Sequence, residues 1–176
     1  MHSPGSDQML AVLDAAVRRL LGIDGLNEYL PQVGSSLVYA KASSSSIEDV
    51  AALTGRIIAT IRGPIACGEV AYGASSHLAS VVIEAQRLNG EIRAGLNIIA
   101  NDDVARRLKQ VGLSVVKIPS RVEGKGCPVT HYIRRTRELA DAYIHPGDFG
   151  VEPSTTMITK HPYMLVEIMA EIIELE

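Results

Sequence analysis

The residues 70–79, read VAYGASSHLA, join a short apolar strand to the start of a helix. The turn between them is built from small residues, Gly73, Ala74, Ser75 and Ser76. Small residues let a ligand approach the backbone, the first N–H groups of a helix lack internal partners, and the helix dipole adds partial positive charge. The junction therefore predicts an anion site, with His77 in the first helical turn. The structural alternative is that Gly73 only turns the chain, a serine caps the helix, and His77 is an ordinary surface or core histidine.

A second candidate for anion binding is Arg56, which stands near the start of the β-rich run 54–61. A guanidinium at this position can reach over a neighbouring strand end toward a negatively charged group. The alternative is a solvated arginine at the rim of a sheet, where a charge discourages unwanted strand pairing.

The loop 145–153, read HPGDFGVEP, contains several turn-forming residues and two carboxylates, Asp148 and Glu152. Carboxylates on such a loop are able to hold a metal ion or a substrate cation. The alternative is a plain connection in which Asp148 accepts hydrogen bonds from nearby backbone N–H groups.

Composition limits what these residues can do. The chain has 176 residues, 47% of them hydrophobic, and a net charge of −3, which predicts one domain over residues 7–176 behind a disordered or artificial tail at 1–6. The charge disfavours direct binding to nucleic acid or to an acidic membrane. Two cysteines without metal-ligand spacing, Cys67 and Cys127, argue against a zinc site and a disulfide framework. Without a leader or a long apolar run, we expect a cytoplasmic protein.

The apolar periodicity predicts helices that alternate with strands, as in layered α/β folds. Helices are predicted from residue 7 to Gly22, as a short turn at 48–52, at 78–88 with an αL stop at Asn89 and Gly90, from the Asn101 cap to 109, at 130–140, and from 161 onward. Strands are predicted at 34–40, 54–61, 65–72, 91–100, 113–118, 142–144 and 154–158, the second and third as a hairpin-like pair.

Five blocks in this order and spacing carry a family resemblance: VGSSLVYA (33–40), EDVAALTGRI (48–57), YGASSHLA (72–79), EIRAGLNI (91–98) and PGDFGVEP (146–153). Together they resemble the archaeal thiamine phosphate synthase (ThiN) domain, over most of the chain from about Leu10 onward. Five linked blocks are far more specific than any one of them.

The resemblance implies a three-layer α/β/α fold with a mixed, mostly antiparallel sheet, similar to class II aldolases. It implies a transferase that joins hydroxymethylpyrimidine diphosphate to hydroxyethylthiazole phosphate, and it places the functional arginine and histidine at Arg56 and His77. Candidate substrate- and phosphate-binding residues are Ser35, Ser36, Gly73, Ala74, Ser75, Ser76, Asn97, Asp148, Gly150 and Glu152. We expect magnesium to arrive with the diphosphate, no tightly bound cofactor, no dedicated metal ligands, and a homodimer.

The chain departs from the family pattern at three positions. Ser76, Ile99 and Val151 stand where the pattern has basic residues. Losing three positive charges weakens the binding of a diphosphate together with a phosphate, which favours an alternative function. In that alternative, the domain senses thiamine phosphate or thiamine diphosphate as the effector domain of a transcription regulator. The single N-terminal helix is too short for a helix-turn-helix module, which argues against it.

Overall fold

The computed structural model describes residues 4–121 and 124–175. The helices are α1 (Pro4–Leu21), α2 (His77–Leu88), α3 (Asp102–Gln110), α4 (Pro128–Thr136) and α5 (Pro162–Glu174). The strands are β1 (Leu37–Ala40), β2 (Val50–Leu53), β3 (Ile57–Thr60), β4 (Gly63–Ala66), β5 (Val70–Tyr72), β6 (Ala94–Ile99), β7 (Val115–Lys117), β8 (Ala142–His145) and β9 (Ser154–Thr159).

Seven strands form one mixed sheet in the order β5-β2-β1-β6-β9-β8-β7. The neighbours pair antiparallel except β7 and β8, which are parallel. The longest pairing joins β6 to β9, from Ala94 opposite Thr159 to Ile99 opposite Ser154. Strands β3 and β4 form a separate hairpin. The mixed, mostly antiparallel sheet predicted from the resemblance is therefore present.

Helices cover both faces of the sheet and make three layers. In β1, Leu37 and Tyr39 pack into one core with α1, α3 and α5, while Val38 and Ala40 pack into another core with α2 and α4. This division follows from the strand geometry, because successive side chains point to opposite faces. Residues that are apolar at every position, as in β1, are typical of a strand buried on both sides.

The region 48–72 differs from its prediction in two ways. The helical turn predicted at 48–52 is only a short 3-10 turn at Ile47–Asp49, and the chain then enters β2 (Val50–Leu53), which is buried throughout. Burial of this apolar run between two helix layers stabilises a central strand more than local propensity favours a turn. The strand predicted at 65–72 is divided at Gly68 (φ +82°), so that β4 pairs with β3 while β5 joins the main sheet.

Three helix ends also differ from the sequence-based expectation. α1 begins at Pro4, so residues 4–6 of the expected tail are helical, while residues 1–3 lie outside the described part of the chain. α2 ends at Leu88 as predicted, but Asn89 is extended (φ −144°) rather than left-handed. α4 starts at Pro128 and stops before Arg137, whose left-handed conformation (φ +55°) ends the helix earlier than 140.

Two other predicted features are confirmed. The side chain of Asn101 accepts a hydrogen bond from the N–H of Val104 at 2.8 Å and caps α3, and Gly112 (φ +90°) follows the end of that helix. Among residues 4–121 and 124–175, none of the helices combines the length and apolar character needed to cross a bilayer.

Candidate functional site

A cavity of about 540 Å³ lies where α2 and α4 begin. Its walls come from the N-termini of these helices, the segments 31–36 and 54–56, the sheet residues Asn97 and Thr156, and the loop that precedes β9. Apolar side chains such as Leu78, Val81 and Val129 line one part of it and polar groups line another. A mostly pre-formed concave site of this size and mixed character is typical of small-molecule binding.

The start of α2 provides one wall, through Ala74, Ser75, Ser76 and His77. Ser76 is the N-cap residue, but its backbone is in the right-handed helical region (φ −107°, ψ −53°), and its side chain makes no capping hydrogen bond within the described structure. A side-chain cap normally requires an extended N-cap residue. Within the described residues, the first N–H groups of α2 therefore receive no cap from Ser76.

Gly73 shapes this junction from outside the cavity. Its φ of +75° favours glycine, and a Cβ there would lie 2.6 Å from a carboxylate oxygen of Glu48. Its N–H donates to the carbonyl of Val50 at 3.1 Å, which joins the turn to β2. Gly73 does not line the cavity, so the structure gives it a conformational role.

Arg56 lines the same cavity and lies directly before the first residue of β3. Its backbone lies against Gly34 (φ +84°), where a Cβ would be 2.9 Å from the Cβ of Arg56. Next to it, Ser35 and Ile57 exchange two backbone hydrogen bonds of 2.8 and 2.9 Å. Within the described residues the exposed guanidinium of Arg56 has no ion pair or hydrogen bond. An unpaired arginine beside an uncapped helix N-terminus creates positive potential in the cavity.

Two of the residues predicted to bind substrate or phosphate, Ser36 and Asn97, line the cavity. The N–H of Ser36 donates to Oδ1 of Asn97 at 2.7 Å, and Nδ2 of Asn97 donates to the carbonyl of Gly34 at 3.4 Å. Ser35 is fully buried outside the cavity lining, and its Oγ has no partner among the described atoms. Ser36 and Asn97 are thus placed to contact a ligand, whereas Ser35 is not.

The loop 146–153 forms another wall of the cavity. Some of its predicted site residues line the cavity and one does not. Gly150 and Glu152 line the cavity, but Asp148 does not. Asp148 instead forms a 3.6 Å ion pair with Arg121, and its Oδ1 accepts a 2.8 Å hydrogen bond from the N–H of Phe149. In this structure Asp148 therefore contacts its own loop and Arg121 rather than the cavity.

His145 and Cys127 also line the cavity, although neither was predicted from the sequence as a site residue. His145 is 4% exposed; its Nδ1 accepts from the N–H of Gly147 at 3.0 Å and its Nε2 lies 3.1 Å from the carbonyl of Ser120. Because the N–H of Gly147 points at Nδ1, Nε2 is the ring nitrogen that donates to the carbonyl of Ser120. Cys127 is a free thiol before Pro128 of α4. A histidine that ends an apolar strand was the available signal for the first, and nothing in the sequence marked the second.

Contacts between α2 and α4 keep their N-termini together. The hydroxyls of Ser80 and Thr130 are 2.7 Å apart, and Nη2 of Arg134 binds Oε2 of Glu84 at 3.0 Å. Glu84 is largely buried and also accepts from Arg87 at 3.0 Å. Because the helices are joined one and two turns beyond the cavity, the spacing between their first turns is held by side chains that do not line it.

Carboxylate, thiol and imidazole groups do not form a metal cage here. Across residues 4–121 and 124–175, no group of three or more His, Cys, Asp or Glu side chains is arranged to hold a metal ion. Glu152 is the one carboxylate among the described lining residues, and both of its oxygens already accept backbone hydrogen bonds. A divalent cation at this cavity would need most of its ligands from a bound substrate.

Fold and cavity together define an α/β/α domain with a candidate small-molecule site at the N-termini of two neighbouring helices. The model of the family described as thiamine-phosphate synthase ThiN matches residues 12–171, and the chain belongs to this family.

Two curated relatives are archaeal. The thiamine-phosphate synthase ThiN of Methanothermobacter thermautotrophicus is 29% identical over 154 residues, which cover 82% of this chain and 81% of that protein. The bifunctional thiamine biosynthesis protein ThiDN of Methanocaldococcus jannaschii is 38% identical over 81 residues. That match covers 46% of this chain and 19% of the bifunctional protein, so most of the latter has no counterpart in the aligned segment.

Solved structures extend the comparison to the fold. The C-terminal domain of a phosphomethylpyrimidine kinase superposes with a TM-score of 0.84 at 26% identity, over 95% of this chain and 99% of that one. An L-fuculose-1-phosphate aldolase from Thermus thermophilus gives a TM-score of 0.53 at 14% identity, over 93% and 90% of the two chains. The second likeness concerns the fold alone.

Proposed function

We propose that this chain is a thiamine phosphate synthase, which joins hydroxymethylpyrimidine diphosphate to hydroxyethylthiazole phosphate and releases pyrophosphate. The observation that carries the proposal is the convergence on one cavity of Arg56, the start of α2 and His77, with neither an ion pair at Arg56 nor a side-chain cap on α2 among the described residues. Membership of the ThiN family and the similarity to a thiamine-phosphate synthase over 82% of the chain support the same reaction.

In the proposed reaction the thiazole nitrogen forms a bond to the methylene carbon of the pyrimidine while the bond from that carbon to the diphosphate oxygen breaks. Negative charge develops on the leaving diphosphate, so the rate depends on donors aimed at this charge. Arg56 and the N–H groups of the first turn of α2 supply such donors in a partly apolar cavity. His77 hydrogen-bonds the leaving diphosphate or gives it a proton.

The other substrate needs placement more than activation, because its nitrogen already carries a lone pair. Leu78, Val81 and Val129 offer an apolar surface for flat rings, and the polar groups of Ser36 and Asn97 lie beside it. Holding both reactants in line contributes a large share of the barrier reduction in reactions of this type. Magnesium bound to the diphosphate oxygens would neutralise part of their charge, with the chain adding few ligands of its own.

We also propose that the fold is a variant of the class II aldolase type. The TM-score of 0.53 against L-fuculose-1-phosphate aldolase supports this. No aldolase activity follows from it, because one fold supports many different reactions.

The direct test is to supply both substrates with magnesium and to measure thiamine phosphate and pyrophosphate. We expect product with wild-type protein and a large loss when Arg56 is replaced. Tight binding of thiamine phosphate without turnover would overturn the proposal and would favour a sensing domain instead.

A further inference from the structure

The segment 31–36, which forms one wall of the cavity, is fastened to the opposite wall by Glu152. Oε1 of Glu152 accepts a hydrogen bond from the N–H of Val33 at 2.9 Å, and Oε2 accepts one from the N–H of Gln32 at 3.2 Å. Each contact joins two residues that lie far apart in the chain, at separations of 119 positions for Val33 and 120 positions for Gln32. Hydrogen bonds from N–H groups to a carboxylate are charge-assisted and stronger than neutral ones.

The other end of the same segment touches the residue proposed to bind the anion. Gly34 lies so close to Arg56 that a Cβ on it would be 2.9 Å from the Cβ of Arg56 and 3.0 Å from the carbonyl oxygen of Ile57. Ser35 then pairs with Ile57 through two backbone hydrogen bonds. A shift of the segment 31–36 would therefore move the backbone that carries Arg56.

We infer that Glu152 is a positioning residue: its carboxylate holds the segment 31–36 against Arg56 and so fixes where the guanidinium enters the cavity. The role of Arg56 in this inference rests on the proposed function. The contact between Glu152 and the segment 31–36 does not rest on the proposed function, because it is observed in the structure. Glu152 thus acts on an anionic ligand through the backbone of residues 31–36 rather than through its own charge.

The chemistry of the carboxylate suggests the first variant, Glu152→Gln. A carboxylate accepts at both oxygens, whereas an amide accepts at one atom and donates at the other. The new NH₂ group would face the N–H of Gln32 or Val33, and two donors repel. If Glu152 acted by its charge, removing that charge would tighten the binding of an anion, so the two explanations predict opposite signs.

A second variant removes the opposing donor. The N–H of Gly34 donates to the carbonyl of Pro31 at 2.9 Å, which closes a turn with Gln32 at its second position. Proline is favoured at this position of common turns and has no N–H. In a Gln32→Pro background, the side-chain oxygen of the glutamine introduced by Glu152→Gln can still accept from the N–H of Val33. Its NH₂ group then meets no N–H at residue 32, because proline has none. The effect of Glu152→Gln should then largely disappear.

Two measurements test the inference on the intact chain: amide hydrogen exchange in the segments 31–36 and 54–58, and calorimetric binding of inorganic pyrophosphate. For Glu152→Gln we expect faster exchange in both segments and pyrophosphate binding weakened by about tenfold, the loss typical of one charged hydrogen bond. In the Gln32→Pro background, we expect Glu152→Gln to change either value by less than about twofold. Glu167→Gln, which removes an exposed carboxylate on α5, is the control and should change neither.

Unchanged exchange in either segment, tighter pyrophosphate binding, or an equal loss in both backgrounds would each overturn the inference. A wild-type chain that binds no pyrophosphate and forms no thiamine phosphate would instead reject the proposed function. The exchange rates of the two segments would still decide whether Glu152 holds them in place.

Discussion

The two faces of the sheet carry helices that begin in different ways. On one face, α3 and α5 start at Asn101 and His161, whose side chains accept hydrogen bonds from the N–H groups of Val104 and Tyr163 at 2.8 and 3.1 Å. On the other face, α2 and α4 start at Ser76 and Cys127, which make no side-chain cap in the described structure. The capped helices close over a packed core, and the uncapped ones begin at the cavity.

This difference separates residues kept for stability from residues available for binding. A capped N-terminus has its donors satisfied within the protein, which stabilises the helix by about 1 kcal/mol. An uncapped N-terminus at a cavity gives up that stability and keeps its donors for a ligand. Substitutions at the two kinds of start should therefore have opposite consequences for stability and activity.

The largest effect is expected for Arg56→Ala, because it removes the one arginine among the described residues that line the cavity. We expect kcat/KM to fall by roughly 100-fold, the lower end of the range for loss of one donor to a developing anion. The stability should change by less than about 0.5 kcal/mol, because the side chain is exposed. Steady-state kinetics and urea unfolding measure the two values. Arg62→Ala, at an exposed position beside the hairpin strand β4, is the control, and a wild-type rate for Arg56→Ala would remove it from the mechanism.

His77→Ala should lower the rate by at least about tenfold, since it removes a polar group in the first turn of the uncapped α2. We expect His77→Gln to recover most of this loss, because a diphosphate leaving group needs a hydrogen bond more than a full proton transfer. Rates measured for both variants at one pH make the test. Equal losses in the two variants would show that the imidazole transfers a proton.

Ser76→Asp should separate binding from stability at the same helix start. A carboxylate there interacts favourably with the dipole of α2 and should raise the free energy of unfolding by about 0.3–1 kcal/mol. The same charge at the cavity should weaken the binding of inorganic pyrophosphate by about five- to tenfold. Unfolding curves and calorimetry check the two parts. The neutral Ser76→Asn is the control, and unchanged binding by the aspartate variant would argue that the anion site does not include this turn.

Asn101→Ala tests the capped face. Loss of the 2.8 Å hydrogen bond to Val104 should destabilise the protein by about 1 kcal/mol. The activity of the folded fraction should stay at the wild-type level, because Asn101 does not line the cavity. The measurements are chemical denaturation and kinetics at a temperature where both proteins are folded. A drop in kcat/KM without loss of stability would contradict the division between the two faces.

The smallest effect concerns the pH dependence of stability at the start of α5. Burial and, to a lesser extent, the charge of Arg93 lower the pKa of His161 below its ordinary 6.5. The unfolded chain then takes up the proton more readily than the folded one, so stability is lost as the pH falls through about 6.5.

His161→Asn keeps a capping acceptor but cannot titrate, so its stability should fall less than that of the wild type between pH 7.5 and about 5.5. His161→Asn also removes the ring contacts of His161 with Tyr39 and Tyr163. The informative quantity is therefore the change of the free energy of unfolding with pH, not its value at one pH. Equal slopes would show that His161 does not contribute to the pH dependence.

Local patterns predicted the helices and most strands, because amphipathic spacing and caps act over a few residues. The Asn101 cap of α3 and the strand-to-helix junction that leads to His77 are visible in the sequence itself. The segment 48–53 was not predictable in this way, because its strand exists only through pairing with β1 on one side and β5 on the other. Similarly, no local signal indicated that Cys127 would line the cavity.

By itself, the sequence determined the alternation of helix and strand, the family, and the small-residue turn before α2, since each depends on residue type and short spacing. Only the tertiary structure decided which candidates meet. It brought Arg56 and His77 to one cavity, left Ser35, Gly73 and Asp148 outside it, and paired both oxygens of Glu152 with the backbone of Gln32 and Val33. The physical reason is that these contacts join residues far apart in the chain, and such pairings are set by sheet order and layer packing rather than by neighbouring residues.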